Sequence, residues 1–216
     1  MRFMRIPKHS LRLFQNPVLE RLTHIHPITP FLFWLPWVAF LLYRASAVGE
    51  LSVRSILGVG LLGFCIWTLM EYLLHRFVFH FQSEHPAIKR FVFLLHGNHH
   101  DVPDDKTRLV MPLIASVPMA IALYLFFLIF LGSQWVDAFF AFFLLGYLWY
   151  DFTHYATHHF KPRTRLGFRV KKNHMDHHFV HHDSYWGVSS PFSDYIFGTL
   201  PERGKPPSTN QVHPNA

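Results

Sequence analysis

Five histidines crowd into nine residues near the end of the chain: His174, His177, His178, His181 and His182. The first three form an H-x-x-H-H box. On a helix those offsets turn by about 60° to one side and about 40° to the other, so three imidazoles share one face. Neutral imidazole is the commonest metal-binding side chain, and three on one face make half a metal site. Three further segments can supply the rest. His96, His99 and His100 repeat the box. His154 and His158 lie four apart and stack on one face. His75 and His80 lie five apart and would splay by about 140° on a straight helix. They share a site only where the helix ends or bulges between them. These ten candidate ligands are too many for one ion and suit two ions with about five each.

Ligand type alone leaves the metal open, because imidazole suits zinc, copper, iron and nickel. The single cysteine, Cys65, sits in an apolar run, which excludes disulfides and argues against thiolate ligation. A structural zinc site closes with four ligands and usually includes cysteine. Ten histidines with no thiolate point instead to catalysis. Asp151 and Asp176 are expected to hold imidazole N–H groups from behind, with Glu71 and Asp101 also near, and His181 is assigned the same outer position. His182 extends the last box. His9, His24, His26, His85, His159 and His213 are read as non-ligands.

The frame that must position these rings is apolar. Half of the 216 residues are hydrophobic and 24 are phenylalanine, too greasy for an ordinary soluble domain of this size. Four runs, about 28–47, 55–74, 110–131 and 135–150, can cross or nearly cross a bilayer core of about 30 Å. Pro36 is expected to kink the first. The expected fold is therefore all-α: a four-helix transmembrane bundle with a cytosolic helical cap around a dimetal site. Arginine and lysine cluster before the first run, between the second and third, and after the fourth. The link Gly132-Ser133-Gln134 has none. That bias puts both termini in the cytosol, and all four histidine segments fall on the same side. The charge rule takes no account of histidine, so the agreement is independent. A transporter would place its sites near the bilayer midplane instead.

Residues 1–27 read as a basic interfacial segment, with 8–26 either an interfacial helix or a loose tail. Residues 28–200 form the membrane domain and 201–216 a flexible tail rich in proline and polar residues. The net charge of +7 suits anionic lipid, and no nucleic-acid motif is present.

The histidine segments and their flanks resemble the fatty acid hydroxylase superfamily of membrane di-iron enzymes, which includes sterol desaturase-like members. The fatty acid 2-hydroxylase branch is the nearest in text. The likeness spans roughly residues 55–200. It rests on His75-Arg76-Phe77-Val78-Phe79-His80, His96-Gly97-Asn98-His99-His100 and Val110-Met111-Pro112. It continues through Gly146-Tyr147, Tyr150-Asp151-Phe152-Thr153-His154-Tyr155, Lys171-Lys172-Asn173-His174, Trp186-Gly187-Val188-Ser189-Ser190 and Ile196-Phe197-Gly198-Thr199.

The resemblance implies two iron ions and O2, with oxygen inserted at carbon 2 of a long acyl chain, free or in a sphingolipid. Redox-active iron can oxidise an unactivated C–H bond where zinc cannot, although zinc can occupy such a site in purified protein. Phe77, Phe79, Phe179 and Trp186 are candidates to line the lipid pocket. Many relatives carry a fused cytochrome b5 domain, for which this chain has no room. Electrons are then expected from a separate cytochrome b5-like or ferredoxin-like donor. Arg76, Lys171 and Lys172 could dock it or serve as interfacial charge. The expected location is a bacterial cytoplasmic or endoplasmic reticulum membrane, and the oligomeric state stays open. Two other functions remain: a sibling hydroxylase or desaturase acting on a sterol, carotenoid or other lipid, and a non-catalytic metal-binding membrane protein.

Overall fold

The computed structural model describes residues 10–201 and is all-helical, with no strand among the described residues. Arg2, Arg5, Lys8, His9, His213 and nearly all of the proposed tail lie outside that range. Three helices are long and apolar enough to cross a membrane: Thr29–Ala47, Val53–Phe79 and Leu113–His159.

Among its described residues, the N-terminal segment is helical only in α1, Pro17–Leu22. Asn16 starts it by accepting the Val18 and Leu19 N–H groups, and Pro17 fits the first turn because its missing N–H is not needed there. The described residues before it are held by side chains instead of helix bonds. Glu20 accepts the Leu13 and Phe14 N–H groups, while Arg108 and Arg90 donate to the Leu11 and Leu13 carbonyls. Arg108 also pairs with Glu20. Burial opposes ionisation of Glu20, but the Phe14 amide, Arg108 and the Leu13 amide outweigh it and hold the carboxyl below its usual range.

Helix α2, Thr29–Ala47, runs through Pro36 without ending. Helix α3, Val53–Leu74, starts on the Ser52 hydroxyl and leads directly into a π-helical turn, His75–Phe79. Two short helices, α4 (Pro86–Val92) and α5 (Asn98–Asp101), flank a second π-turn, Phe93–Gly97. Then comes α6, Leu113–His159, which loses helical geometry at Gly132 (φ 72°, ψ 170°). Only glycine adopts that conformation cheaply. The chain reverses there. Tyr124 donates to Asp137 at 2.7 Å, and the Phe127 and Phe143 rings are 5.4 Å apart. A continuous helix would separate that ring pair by about 24 Å. The third and fourth apolar runs are thus antiparallel arms of a helical hairpin.

The boundaries differ from the apolar runs in an instructive way. The first arm begins at Leu113 because Pro112 is extended (φ −61°, ψ 144°) and sets residues 110–112 against the site. The second continues nine residues beyond Tyr150, and Pro162 follows shortly after its end. Its last turns therefore carry His154 and His158. Helix α7, Arg165–Phe179, starts on the Thr164 hydroxyl and carries the last histidine box. The six-residue α8, Phe192–Phe197, stops at Gly198 with φ 64°.

The core forms where α2 and α3 pack on the α6 hairpin. Trp67 meets Phe143 and Tyr147 edge-on, with centroids 5.1 and 5.5 Å apart. At the end away from the histidines, Arg44 pairs with the buried Asp137 at 3.0 Å. A Cβ on Gly63 would stand 2.1 Å from the Phe139 carbonyl oxygen, so α3 and α6 touch backbone to backbone there. Gly63→Val is expected to force them apart and cost about 1–3 kcal/mol, read as a lower unfolding temperature in detergent.

Candidate metal centre

Each histidine segment reaches the centre by a different local device. His75 and His80 are brought together by the π-turn between them, whose wider winding cancels the splay of a straight helix, and their ring centroids are 5.0 Å apart. The second π-turn ends at Gly97 and aims His96, while α5 carries His99 and His100. The extension of α6 carries His154 and His158, and α7 carries His174, His177 and His178. All ten rings gather in two groups of five. One holds His75, His80, His96, His100 and His177; the other holds His99, His154, His158, His174 and His178. The donor atoms within each group lie within 4.8 Å of one another.

The H-x-x-H-H boxes are split between the groups. His96 and His100 stay together, and so do His174 and His178, because residues four apart differ by only about 40° around the helix. The middle histidine of each box, His99 or His177, crosses to the opposite group. Each box therefore bridges both groups.

The donor chemistry fits metal ions. Nε2 faces Nε2 in six ring pairs. In the first group, His96–His100 is 3.0 Å and His80–His177 is 3.2 Å. In the second, His99–His178 is 3.0 Å, His99–His154 2.9 Å, His158–His174 2.8 Å and His174–His178 3.1 Å. His99, His174 and His178 each make two such contacts, more than single shared protons can satisfy. Burial, reinforced by neighbouring histidines, holds His96, His99, His100, His174 and His178 well below the usual imidazole range. Burial does the same to His177. Neutral lone pairs directed at one point repel unless a cation lies between them. With metal–nitrogen bonds of about 2.1 Å, ligands at right angles stand about 3.0 Å apart. The observed spacings match that edge. His75 Nε2 is buried with no hydrogen-bond partner among the described residues, as an atom directed at an ion would be.

At His75 and His177 the outer contacts are backbone carbonyls where carboxylates were expected. His75 Nδ1 donates to the Trp186 carbonyl at 2.6 Å, and His177 Nδ1 donates to the Ser184 carbonyl at 2.8 Å. Those bonds leave Nε2 as the lone-pair nitrogen on both rings. Asp176 pairs with Lys172 on the outer side of α7. The buried Asp151 carboxyl lies against the Tyr147 hydroxyl and the Met111 backbone N–H. His181 is half-buried beside Tyr185. His159 packs on Tyr155 and His24 bonds Thr107, both outside the two groups. Side-chain type alone misses the Ser184 and Trp186 carbonyls, which accept from His177 and His75 and so orient those rings. It also misses Asp194, which holds their segment.

The sequence matches the fatty acid hydroxylase family over residues 60–199. This chain belongs to that family. It is 35% identical to a dihydroceramide fatty acyl 2-hydroxylase of Arabidopsis thaliana, over 92% of this chain and 84% of the plant protein. It is 33% identical to the fatty acid 2-hydroxylase of Rattus norvegicus, over 91% of this chain and 58% of the rat protein. A solved structure described as full-length scs7p, with only the hydroxylase domain visible, superposes with a TM-score of 0.84 at 36% identity. That match covers 91% of this chain and 74% of the other.

Beside the histidines, this fatty acid hydroxylase family member has an apolar cavity of about 250 Å³. Phe79, Leu95, Val110, Met111 and Tyr150 line it, and α1 contributes Leu19 and Leu22. Three rings border it: His96 from the first group and His99 and His154 from the second. Asp151 borders it too. Of the four aromatic residues named from sequence, Phe79 lines this cavity. Trp186 packs on the His75, His80 and His177 rings at 5.5, 5.0 and 5.2 Å. Phe77 and Phe179 are largely exposed.

Proposed function

We propose that this chain is a membrane di-iron hydroxylase inserting oxygen from O2 at carbon 2 of a long-chain acyl group, free or N-linked in a sphingolipid. The observation that carries the reading is one apolar cavity bordered by rings from both histidine groups. A metal-storage protein has no use for such a cavity, whereas a lipid C–H bond must reach the ions through one. The reaction balances as R–H, O2, two electrons and two protons giving R–OH and water. Bound iron supplies the redox chemistry, with His75, His80, His96, His100 and His177 holding one ion and His99, His154, His158, His174 and His178 the other.

The remaining work falls to the chain's own residues. Phe79, Leu95, Val110 and Met111 bind the acyl chain and keep water away from the reacting carbon. Asp151 sits one helical turn before His154 and borders the cavity, which places its carboxyl to accept an N–H or O–H of the lipid head. Carbon 2 adjoins the head, so anchoring the head near His154 presents that carbon. The four apolar arms cross the membrane as a bundle with both termini and the histidines cytosolic, consistent with the charge bias of the loops. Electrons come from a separate cytochrome b5-like or ferredoxin-like donor.

The test is expression in a host supplied with iron and a donor, under 18O2, with mass spectrometry of free and ceramide-bound acyl chains. The expected product is a 2-hydroxy acyl group carrying one 18O. A hydroxyl elsewhere on the chain, or on a sterol, would reject the regiochemistry. A smaller test concerns the cavity. Met111→Trp is expected to lower turnover at least about tenfold while both ions remain, since it fills space the acyl chain needs. Unchanged turnover would place the lipid elsewhere.

A further inference from the structure

The two histidine groups are not supported alike. In the second, Nδ1 of His154, His174 and His178 is buried with no hydrogen-bond partner among the described residues. In the first, His75 and His177 are both fixed by carbonyls of one short segment, those of Trp186 and Ser184. The Trp186 indole adds packing against His75, His80 and His177, all members of the first group. Segment 184–187 therefore orients one metal position and not the other.

What holds that segment is a buried carboxylate. Asp194 accepts the Trp186 N–H at 2.9 Å, the Gly187 N–H at 2.8 Å and the Thr199 hydroxyl at 2.7 Å. Glu71, four residues before His75 on α3, anchors the next residues by accepting the Ser189 N–H at 2.7 Å and the Ser189 hydroxyl. A Cβ on Gly187 would meet the Ser190 carbonyl at 2.1 Å, so the turn closes tightly around the carboxylate. Between the two orienting carbonyls, Tyr185 adopts φ 60°. A left-handed non-glycine residue persists only when its surroundings over-determine it.

We propose that Asp194 is a positioning residue for the first metal site alone: it clamps segment 184–187 so that two backbone carbonyls fix the tautomer and aim of His75 and His177. This rests on the dimetal reading above. Outer partners of metal-bound histidine set ring orientation and basicity, and losing them typically costs about 10–100-fold in metal affinity. The two sites are then unequal, one built by a clamped loop and the other by helix packing.

Metal content of purified full-length protein tests this directly, with Zn2+ and Fe2+ as probes, chelator competition for affinity and circular dichroism for folding. Asp194→Asn is expected to weaken first-site affinity about 10–100-fold and leave about one ion per chain instead of two. Combined with His174→Ala, which disables the second site, it is expected to leave the chain nearly metal-free. Combined with His75→Ala, which disables the first, it is expected to add no further loss. Two ions at unchanged affinity in Asp194→Asn, or equal weakening of both sites, would overturn the proposal while leaving the dimetal reading intact. Wild-type protein that holds no metal would remove both. Should Asp194→Asn not fold, Thr199→Val removes one donor from the same carboxylate with little change of shape. Roughly threefold to tenfold weaker first-site affinity is then expected, and unchanged affinity overturns the clamp.

Discussion

Replacing His174 with alanine is expected to empty one metal position and abolish hydroxylation. The ring is buried, and its Nε2 stands 2.8 Å from that of His158 and 3.1 Å from that of His178. It is thus central to the second group. Removing it leaves four donors and a cavity that no neighbouring side chain fills. Direct loss of a ligand should exceed the roughly 10–100-fold that outer partners cost, so the second ion should be lost on purification. Chemistry that needs both ions should then stop, even though the first group keeps all five rings. His159→Ala is the matched control, because that ring lies outside both groups and packs on Tyr155. It should keep two ions and its activity. Elemental analysis and the lipid product profile read both variants. Two ions and full turnover in His174→Ala would contradict the assignment of ligands.

Acid is the second large lever. Six candidate ligands outside the apolar arms, His96, His99, His100, His174, His177 and His178, are held below the usual imidazole range by burial. In metal-free protein the folded state keeps them neutral, while the unfolded chain takes up protons near the reference value of about 6.5. Below that value the unfolded state binds more protons, so stability falls as pH falls. It is fully present above about pH 6.5 and is lost progressively below it, toward the depressed folded values. Each such group adds a slope of up to about 1.4 kcal/mol per pH unit, so six approach about 8 kcal/mol per unit. That rivals the whole stability of a typical domain, about 5–15 kcal/mol. Metal-free protein should therefore unfold sharply between about pH 6.5 and 5. The metal-loaded form should resist to lower pH, because each proton must displace a ligand bond. Circular dichroism against pH with and without Zn2+ measures both curves. Identical curves, or a metal-free protein stable well below pH 5, would show that these rings do not carry the linkage.

The helical arms were legible in the sequence because a bilayer-sized apolar run and a glycine link leave few alternatives. Their ends were less so. Tyr150 closes the last apolar run, but the backbone continues as helix to His159, since nothing before Pro162 stops it. At the N-terminus the basic segment allowed either an interfacial helix or a loose tail, and Arg90, Arg108 and Glu20 hold residues 11–14 as non-helical chain before the short α1. The two arginines act from 77 and 97 residues away and the carboxylate is a single local residue, and no periodicity reveals them. The expected role of Asp151 and Asp176 behind the imidazoles rested on residue type. The contacts found at His75 and His177 come from backbone carbonyls, which every residue possesses and which sequence therefore cannot single out.

Residue type and spacing by themselves determined the ten imidazoles, their arrival in pairs four or five apart, and the apolar helices that bring four distant segments to one end. These are local properties, fixed by helical period and by hydrophobicity. Only the tertiary structure decided which ring joins which group, sending His99 and His177 across from their own boxes. It also decided that the cavity touches both groups and that Asp194 supports just one of them. Those facts depend on the relative rotation and height of helices, which long-range packing sets and no single segment encodes.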